Sequence, residues 1–212
     1  VPHSDHHALW IDPANPKHVL TGCDGGVNVT WDGGKNWDFI DNIDIGQFYH
    51  VGFDMDTPYN VMGGLQDNAS WHGPSAVRAD IGVGNFDWLN IGSGDGFVTL
   101  ADPTSSRTIY SESQGGNMIR VDRLSRERKN IKPVPPRGAA PYRWYWDTPM
   151  QLSPHDPSTL YVTANKVFKS TDRGDTWQVI SPDLTAQVDR DTIPIMGVMG
   201  RDIAIARNDG VS

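Results

Sequence analysis

The sequence predicts an all-β protein, a β-propeller of four-stranded blades, with about four blades present as part of a larger ring. Three observations lead there. A turn-plus-strand phrase recurs four times, with Pro16, Pro58, Pro103 and Pro157 at its turns and successive prolines 42, 45 and 54 residues apart. A tryptophan-closed turn follows two of these phrases, its Trp37 and Trp177 lying 21 and 20 residues after Pro16 and Pro157. No long segment carries apolar residues at the i, i+3, i+4, i+7 spacing of an amphipathic helix. A unit of about 45 residues made of short strands is the period of a propeller blade.

Each unit can be justified in turn. In the first, Asn15-Pro16-Lys17-His18-Val19-Leu20 turns into a strand, and Val27 to Trp31 can pair with Asn36 to Ile40 across Asp32-Gly33-Gly34-Lys35. The second repeats the opening as Thr57-Pro58-Tyr59-Asn60-Val61-Met62 and then expands from Gln66 to Trp88, a stretch too long for one tight turn and a candidate functional loop. The third runs from Asp102-Pro103 to Thr108-Ile109-Tyr110 with a three-residue insertion, and its Met118 to Val121 aligns on Val167 to Ser170 of the fourth. The fourth opens with Asp156-Pro157-Ser158-Thr159-Leu160-Tyr161, and Lys166 to Ser170 can pair with Thr176 to Ile180. The units are expected at about 1–46, 47–92, 93–142 and 143–190, with 191–212 beginning a further blade or closing strand.

The two tryptophan-closed turns share the pattern Ser/Thr-x-Asp-x-Gly-x-Asn/Thr-Trp: Thr30, Asp32, Gly34 and Trp37, then Ser170, Asp172, Gly174 and Trp177. The aspartate can accept backbone N–H bonds, the glycine tolerates positive φ, and the tryptophan anchors the returning strand. Pro133 to Pro141 is too proline-rich for a central strand and reads as a connection between blades. In Tyr142-Arg143-Trp144-Tyr145-Trp146, strand alternation would pack Tyr142, Trp144 and Trp146 between blades and leave Arg143 and Tyr145 on the other face.

Composition limits the function. The 212 residues carry 18 Lys and Arg against 26 Asp and Glu, a formal charge of −8, so no overall attraction to phosphate backbones or anionic membranes exists. Nucleic acid is not an expected partner. The single cysteine, Cys23, excludes an intrachain disulfide and any CxxC pair. No apolar run reaches the length of a membrane span. No Walker, GxGxxG or Ser-His-Asp signature occurs in a suitable context, and no cofactor is expected.

The tryptophan-closed turn resembles the Asp-box, or BNR repeat, of sialidases, xyloglucanases and sortilin-type propellers. His3-Ser4-Asp5-His6-His7-Ala8-Leu9-Trp10-Ile11-Asp12-Pro13, Gly64-Leu65-Gln66-Asp67-Asn68 and Gly94-Asp95-Gly96 resemble phrases of large bacterial sortilin-like or glycosyl-hydrolase-like proteins. The resemblance implies a segment of a longer protein, placed outside the cell or in the periplasm, with the remaining blades or another copy of the chain as partners.

Candidate sites follow from residue chemistry. Gln66, Asp67, Asn68 and Trp71 combine amides, a carboxylate and an indole after a strand, and Arg143 and Tyr145 add a guanidinium and a phenol. Sugars offer hydroxyls to amides and carboxylates and C–H faces to aromatic rings. A glycosidase needs two carboxylates astride a bond; the candidates are Asp24, Asp67, Asp95 and Glu112, which lie beside short strands in successive units. His3, Asp5, His6 and His7 are the densest set of possible metal ligands, against a plain hydrogen-bonded loop. The leading expectation is a secreted propeller segment binding glycan or peptide through its loop face. The alternatives are a glycoside hydrolase acting on a polysaccharide and a purely structural assembly segment.

Overall fold

A computed structural model describes residues 2–43 and 45–203. It is all-β, with four four-stranded antiparallel sheets in which each strand pairs with its neighbours in sequence. The first sheet contains β1 (His6–Ile11), β2 (Val19–Cys23), β3 (Gly26–Thr30) and β4 (Asp38–Phe39). The second contains β5 (Phe48–Phe53), β6 (Asn60–Leu65), β7 (Ser70–Pro74) and β8 (Leu89–Asn90). The third contains β9 (Gly96–Asp102), β10 (Ser105–Ser113), β11 (Asn117–Asp122) and β12 (Arg128–Asn130). The fourth contains β13 (Met150–Leu152), β14 (Leu160–Thr163), β15 (Val167–Ser170) and β16 (Gln178–Val179). These sheets are propeller blades. A two-stranded ribbon of β17 (Pro194–Ile195) and β18 (Val198–Met199) follows; the part of the expected further blade beyond residue 203 lies outside the described residues.

A blade is a twisted sheet with two apolar faces, so its core forms between blades. Met62, Ile91 and Ile109 are buried between the second and third blades. Tyr110, Met118, Ile131, Met150, Leu160, Val162 and Phe168 are buried between the third and fourth, with Tyr142 and Trp144 packed on them. The second and third blades approach so closely that a Cβ on Gly64 would overlap the backbone of Gly96, and one on Gly52 would overlap the carbonyl of Thr99. The first blade is attached differently. Its β1 exposes Leu9, Trp10 and Ile11, and β5 of the second blade exposes Val51 and Phe53. Asn68 Nδ2 donates to Asp24 O at 2.8 Å and Asn85 Nδ2 to Asp41 O at 3.3 Å, linking loops of the two blades.

The two tryptophan-closed turns use one hydrogen-bond scheme. Asp32 Oδ1 accepts from the backbone N–H groups of Lys35 and Asn36, both at 3.0 Å, while Gly34 N donates to Thr30 Oγ1 at 3.0 Å. In the fourth blade Asp172 Oδ1 accepts from Thr176 N at 2.8 Å and Gly174 N donates to Ser170 Oγ at 2.8 Å. Gly34 and Gly174 have φ of 86° and 87°, a left-handed conformation that disfavours any residue with a Cβ. Donors from Asn36 hold the Asp32 carboxyl at about 2, and donors from Thr176 do the same for Asp172. Trp177 Nε1 donates to Ile131 O at 2.7 Å, stapling the fourth blade to the end of the third.

Two sequence expectations are corrected. Gln66 to Trp88 is not one loop: Leu65 N bonds Ala69 O at 2.8 Å across a tight turn, with Asp67 and Ala69 at φ of 59° and 66°, and β7 follows at once. The long connection covers only 75–88. Residues 141–145 are not a strand, so alternation does not govern the aromatic run; Tyr142 and Trp144 pack inward but Trp146 is 41% exposed.

Candidate functional site: a carboxyl cluster where four blades meet

The β2–β3 turn carries Asp24, the β6–β7 turn carries Asp67, the lead into β9 carries Asp95, and the lead into β13 carries Trp146. All meet at one end of the blades. The carboxyls of Asp24 and Asp95 lie close enough to that of Asp67 for both to oppose its ionisation. Its backbone N–H donates to Asp95 Oδ1 at 2.7 Å, and Trp146 Nε1 donates to Asp95 Oδ2 at 2.9 Å. His7 Nε2 lies 2.5 Å from Asp24 Oδ1. Asn68 Nδ2 also bonds Gln66 O, and Trp71 Nε1 donates to Asn68 O at 2.7 Å. The tight turn forces this arrangement, because it turns the N–H of Asp67 toward the third blade and the amide of Asn68 toward the first.

Three carboxyls in contact cannot all ionise without strong repulsion. Desolvation, together with hydrogen bonds and charge from Asp24 and Asp95, raises Asp67 to about 6. Desolvation opposes the charge on Asp24 as well, but hydrogen bonds from Asp67 and His7 outweigh it and hold Asp24 below the ordinary carboxylate value. Asp67 is therefore the member that keeps the proton. Around this end Tyr49 and Trp146 are each about 40% exposed, as is Tyr145, the chain neighbour of Trp146. Desolvation and the charges of Asp95, Asp67 and Asp147 raise the Tyr49 hydroxyl. Asp147 accepts from His50 Nε2 at 2.9 Å if that nitrogen carries the proton.

The remaining candidates lie elsewhere. Glu112 is fully buried, accepts Thr148 N at 3.3 Å through Oε1, leaves Oε2 without a partner, and is pushed up to about 9 by burial. Arg143 turns its guanidinium to Asp183 Oδ2 at 3.0 Å and Thr185 Oγ1 at 2.5 Å, away from the carboxyl cluster. His3 bonds Ser4 O, Ser4 bonds Asp5, and His6 bonds Thr21 Oγ1 at 2.7 Å. With His7 on Asp24, the four candidates His3, Asp5, His6 and His7 thus take separate partners, and among the described residues no three of His, Cys, Asp and Glu are placed to hold a metal ion. A cavity of about 520 Å³ beside them is lined by Pro2, His6, Leu9, Thr21 and Trp37.

No family model and no curated protein sequence matches the chain. Among solved structures it is similar to a GH74 xyloglucanase from Xanthomonas campestris, at 15% identity and a TM-score of 0.48, over 86% of this chain and 31% of that one. It is also similar to an auxiliary nutrient binding protein from Bacteroides thetaiotaomicron, at 12% identity and a TM-score of 0.46, over 84% of this chain and 42% of that one. A third is YCF48 bound to a D1 peptide, at 14% identity and a TM-score of 0.42, over 82% of this chain and 53% of that one. The chain thus spans between about a third and a half of these structures.

Tyr49, His50, Trp146 and Asp147 were missed by sequence reasoning. Trp146 could have been found only from its contact, since the aspartate it bonds is 51 residues earlier in the chain.

Proposed function

We propose that this chain is a secreted propeller segment, its two tryptophan-closed turns Asp-boxes, that binds glycan at the end of the blades where Asp24, Asp67 and Asp95 meet. The observation that carries the reading is the convergence there of three carboxyls and the Asn68 amide beside the half-exposed Tyr49 and Trp146. Such a site offers directional acceptors to sugar hydroxyls and ring faces to sugar C–H groups. The test is calorimetric titration with a panel of soluble plant and bacterial polysaccharides. Binding that is lost in Trp146→Ala and Asp95→Ala, with folding intact, supports the reading; binding to none of the panel overturns it.

One observation favours hydrolysis as a second reading. A carboxyl at about 6 carries its proton in mildly acidic solution, where it could act as general acid. Asp24 and Asp95 crowd Asp67 more closely than the roughly 5–10 Å that glycoside hydrolysis needs; Asp147, whose charge reaches the same Tyr49 hydroxyl as that of Asp67, is the carboxylate this reading takes as the second. Release of reducing ends from the same polysaccharides, abolished by both Asp67→Asn and Asp147→Asn, is the expected result of this reading; release unaffected by either substitution excludes it.

A further inference from the structure

A second aromatic cluster lies on the first blade, far in sequence from Asp67. The Trp31 indole stacks on the His18 imidazole, with centroids 3.7 Å apart and planes 8° from parallel. Trp10 meets the same imidazole edge-on, at 5.4 Å and 84°. The Nδ1 of His18 lies 3.3 Å from Asp12 Oδ2, which fixes the ring between the two indoles. Trp31 is nevertheless 60% exposed and Trp10 48% exposed.

The fold does not require these aromatics, and the fourth blade shows why. Trp10 pairs with Leu20 as Gln151 pairs with Tyr161, and Val19 pairs with Thr30 as Leu160 pairs with Ser170. By that register Trp10, His18 and Trp31 occupy the places of Gln151, Thr159 and Thr171. The backbone between them is the same: Gly33 N donates to Lys17 O at 2.9 Å, and Arg173 N donates to Ser158 O at 2.9 Å. One scaffold therefore forms with small polar side chains in one blade and with three stacked rings in the other. Indoles left this exposed by a fold that has no structural need of them mark an interaction surface.

The geometry points to a second glycan-binding site on the first blade, the free face of Trp31 backed by His18 with Trp10 set nearly perpendicular on the same imidazole, for a neutral β-1,4-linked gluco-configured chain. Its chemistry selects the occupant. One face of Trp31 is taken by His18, and the rest of the ring is held rigid and open to solvent. Sugar rings whose substituents are all equatorial present flat C–H faces that stack on such a ring. Lys17 and Lys35 flank the stack in sequence with Asp12 and Asp32, so their charges cancel and neither an anionic nor a cationic ligand is favoured. A docked peptide helix would need anchors spaced along a groove, and a stack of three rings supplies one or two sugar-sized contacts. The platform stands on the comparison of blades and does not depend on the carboxyl cluster.

The test uses the whole chain with cellohexaose in calorimetry and β-glucan in affinity electrophoresis. The variants are Trp31→Thr and Trp10→Gln, which install side chains the fourth blade already carries at these places. Trp31→Thr is expected to weaken cellohexaose binding at least about tenfold and Trp10→Gln less, through the loosened His18, while each leaves the melting temperature within a few degrees. Trp146→Ala reports on the carboxyl cluster separately. Binding lost in Trp146→Ala but retained in Trp31→Thr overturns the platform and leaves the first site standing; the reverse supports the platform alone. The proposal also falls if the unsubstituted chain binds no cellohexaose, if Trp31→Thr unfolds the blade, or if its main effect is to abolish self-association in sedimentation.

Discussion

Arg173 donates from Nε to Asp102 Oδ2 at 2.8 Å, joining the turn of the fourth blade to the last residue of β9 in the third. The Asp102 side chain is only 1% exposed. Desolvation opposes its charge, but Thr104, through both hydroxyl and backbone N–H, and Arg173 outweigh that and hold the carboxyl below its ordinary value. The same turn bonds Ser158 O through Arg173 N, so the guanidinium is aimed by a fixed backbone.

Arg173→Met should therefore destabilise the protein by about 2–3 kcal/mol, toward the low end for a broken buried pair because Arg173 itself is partly solvated. Asp102 is depressed in the fold, so its contribution is present above pH 3.8 and disappears as pH falls through the folded value. Urea unfolding should show the full penalty at pH 7 and a penalty that shrinks as pH is taken progressively below 3.8. Equal stability of variant and parent at pH 7 would mean the bridge contributes nothing.

Asp67→Asn is expected to stabilise above neutrality. Asp67 has its folded value raised from 3.8 to about 6, so the folded chain holds the extra proton between these values and loses stability as pH rises through them. Asparagine keeps a donor for Asp24 and Asp95 without the charge. Calorimetric melting should give similar temperatures near pH 4 and a higher one for the variant at pH 7.5; parallel curves would refute the shared proton.

Glu112→Gln should act in the same direction over a wider window. Burial raises Glu112 from 4.5 to about 9, so ionisation in the unfolded chain erodes stability across that whole range. The gain at pH 8 is on the order of 2 kcal/mol, read by denaturant unfolding. No gain at that pH would place the charged form comfortably in the fold.

Gly64→Ala and Gly115→Ala separate two reasons for glycine. A methyl at Gly64 collides with the backbone of Gly96 and must push the second and third blades apart, at a loss of about 3 kcal/mol or more. Gly115 has open space but a φ of 72°, so alanine there meets only local strain of about 1 kcal/mol. Thermal melts of the two variants should rank accordingly.

The blades were legible because each rests on a short local phrase. Thr30 to Trp37 and Ser170 to Trp177 hold their bonding scheme within eight residues, and the proline turns mark each second strand. β7 was not legible, since Ser70-Trp71-His72-Gly73-Pro74 has little strand propensity and exists because β6 and β8 pair with it. Asp24, Asp67 and Asp95 could be singled out as turn residues of successive units, yet the contact of their carboxyls depends on the curvature that brings three turns together. The Trp10, His18 and Trp31 stack spans three separate segments and needed the strand register to be seen.

The uneven attachment of the blades sets how the molecule comes apart. The second, third and fourth share buried cores, the Trp177 staple and the Asp102 bridge, whereas the first hangs on two asparagine bonds and on the proton between Asp24 and Asp67. In an array whose members touch only their neighbours, the weakest junction defines the cooperative unit. Amides of β2 and β3 should exchange through an opening that spares β10 and β14.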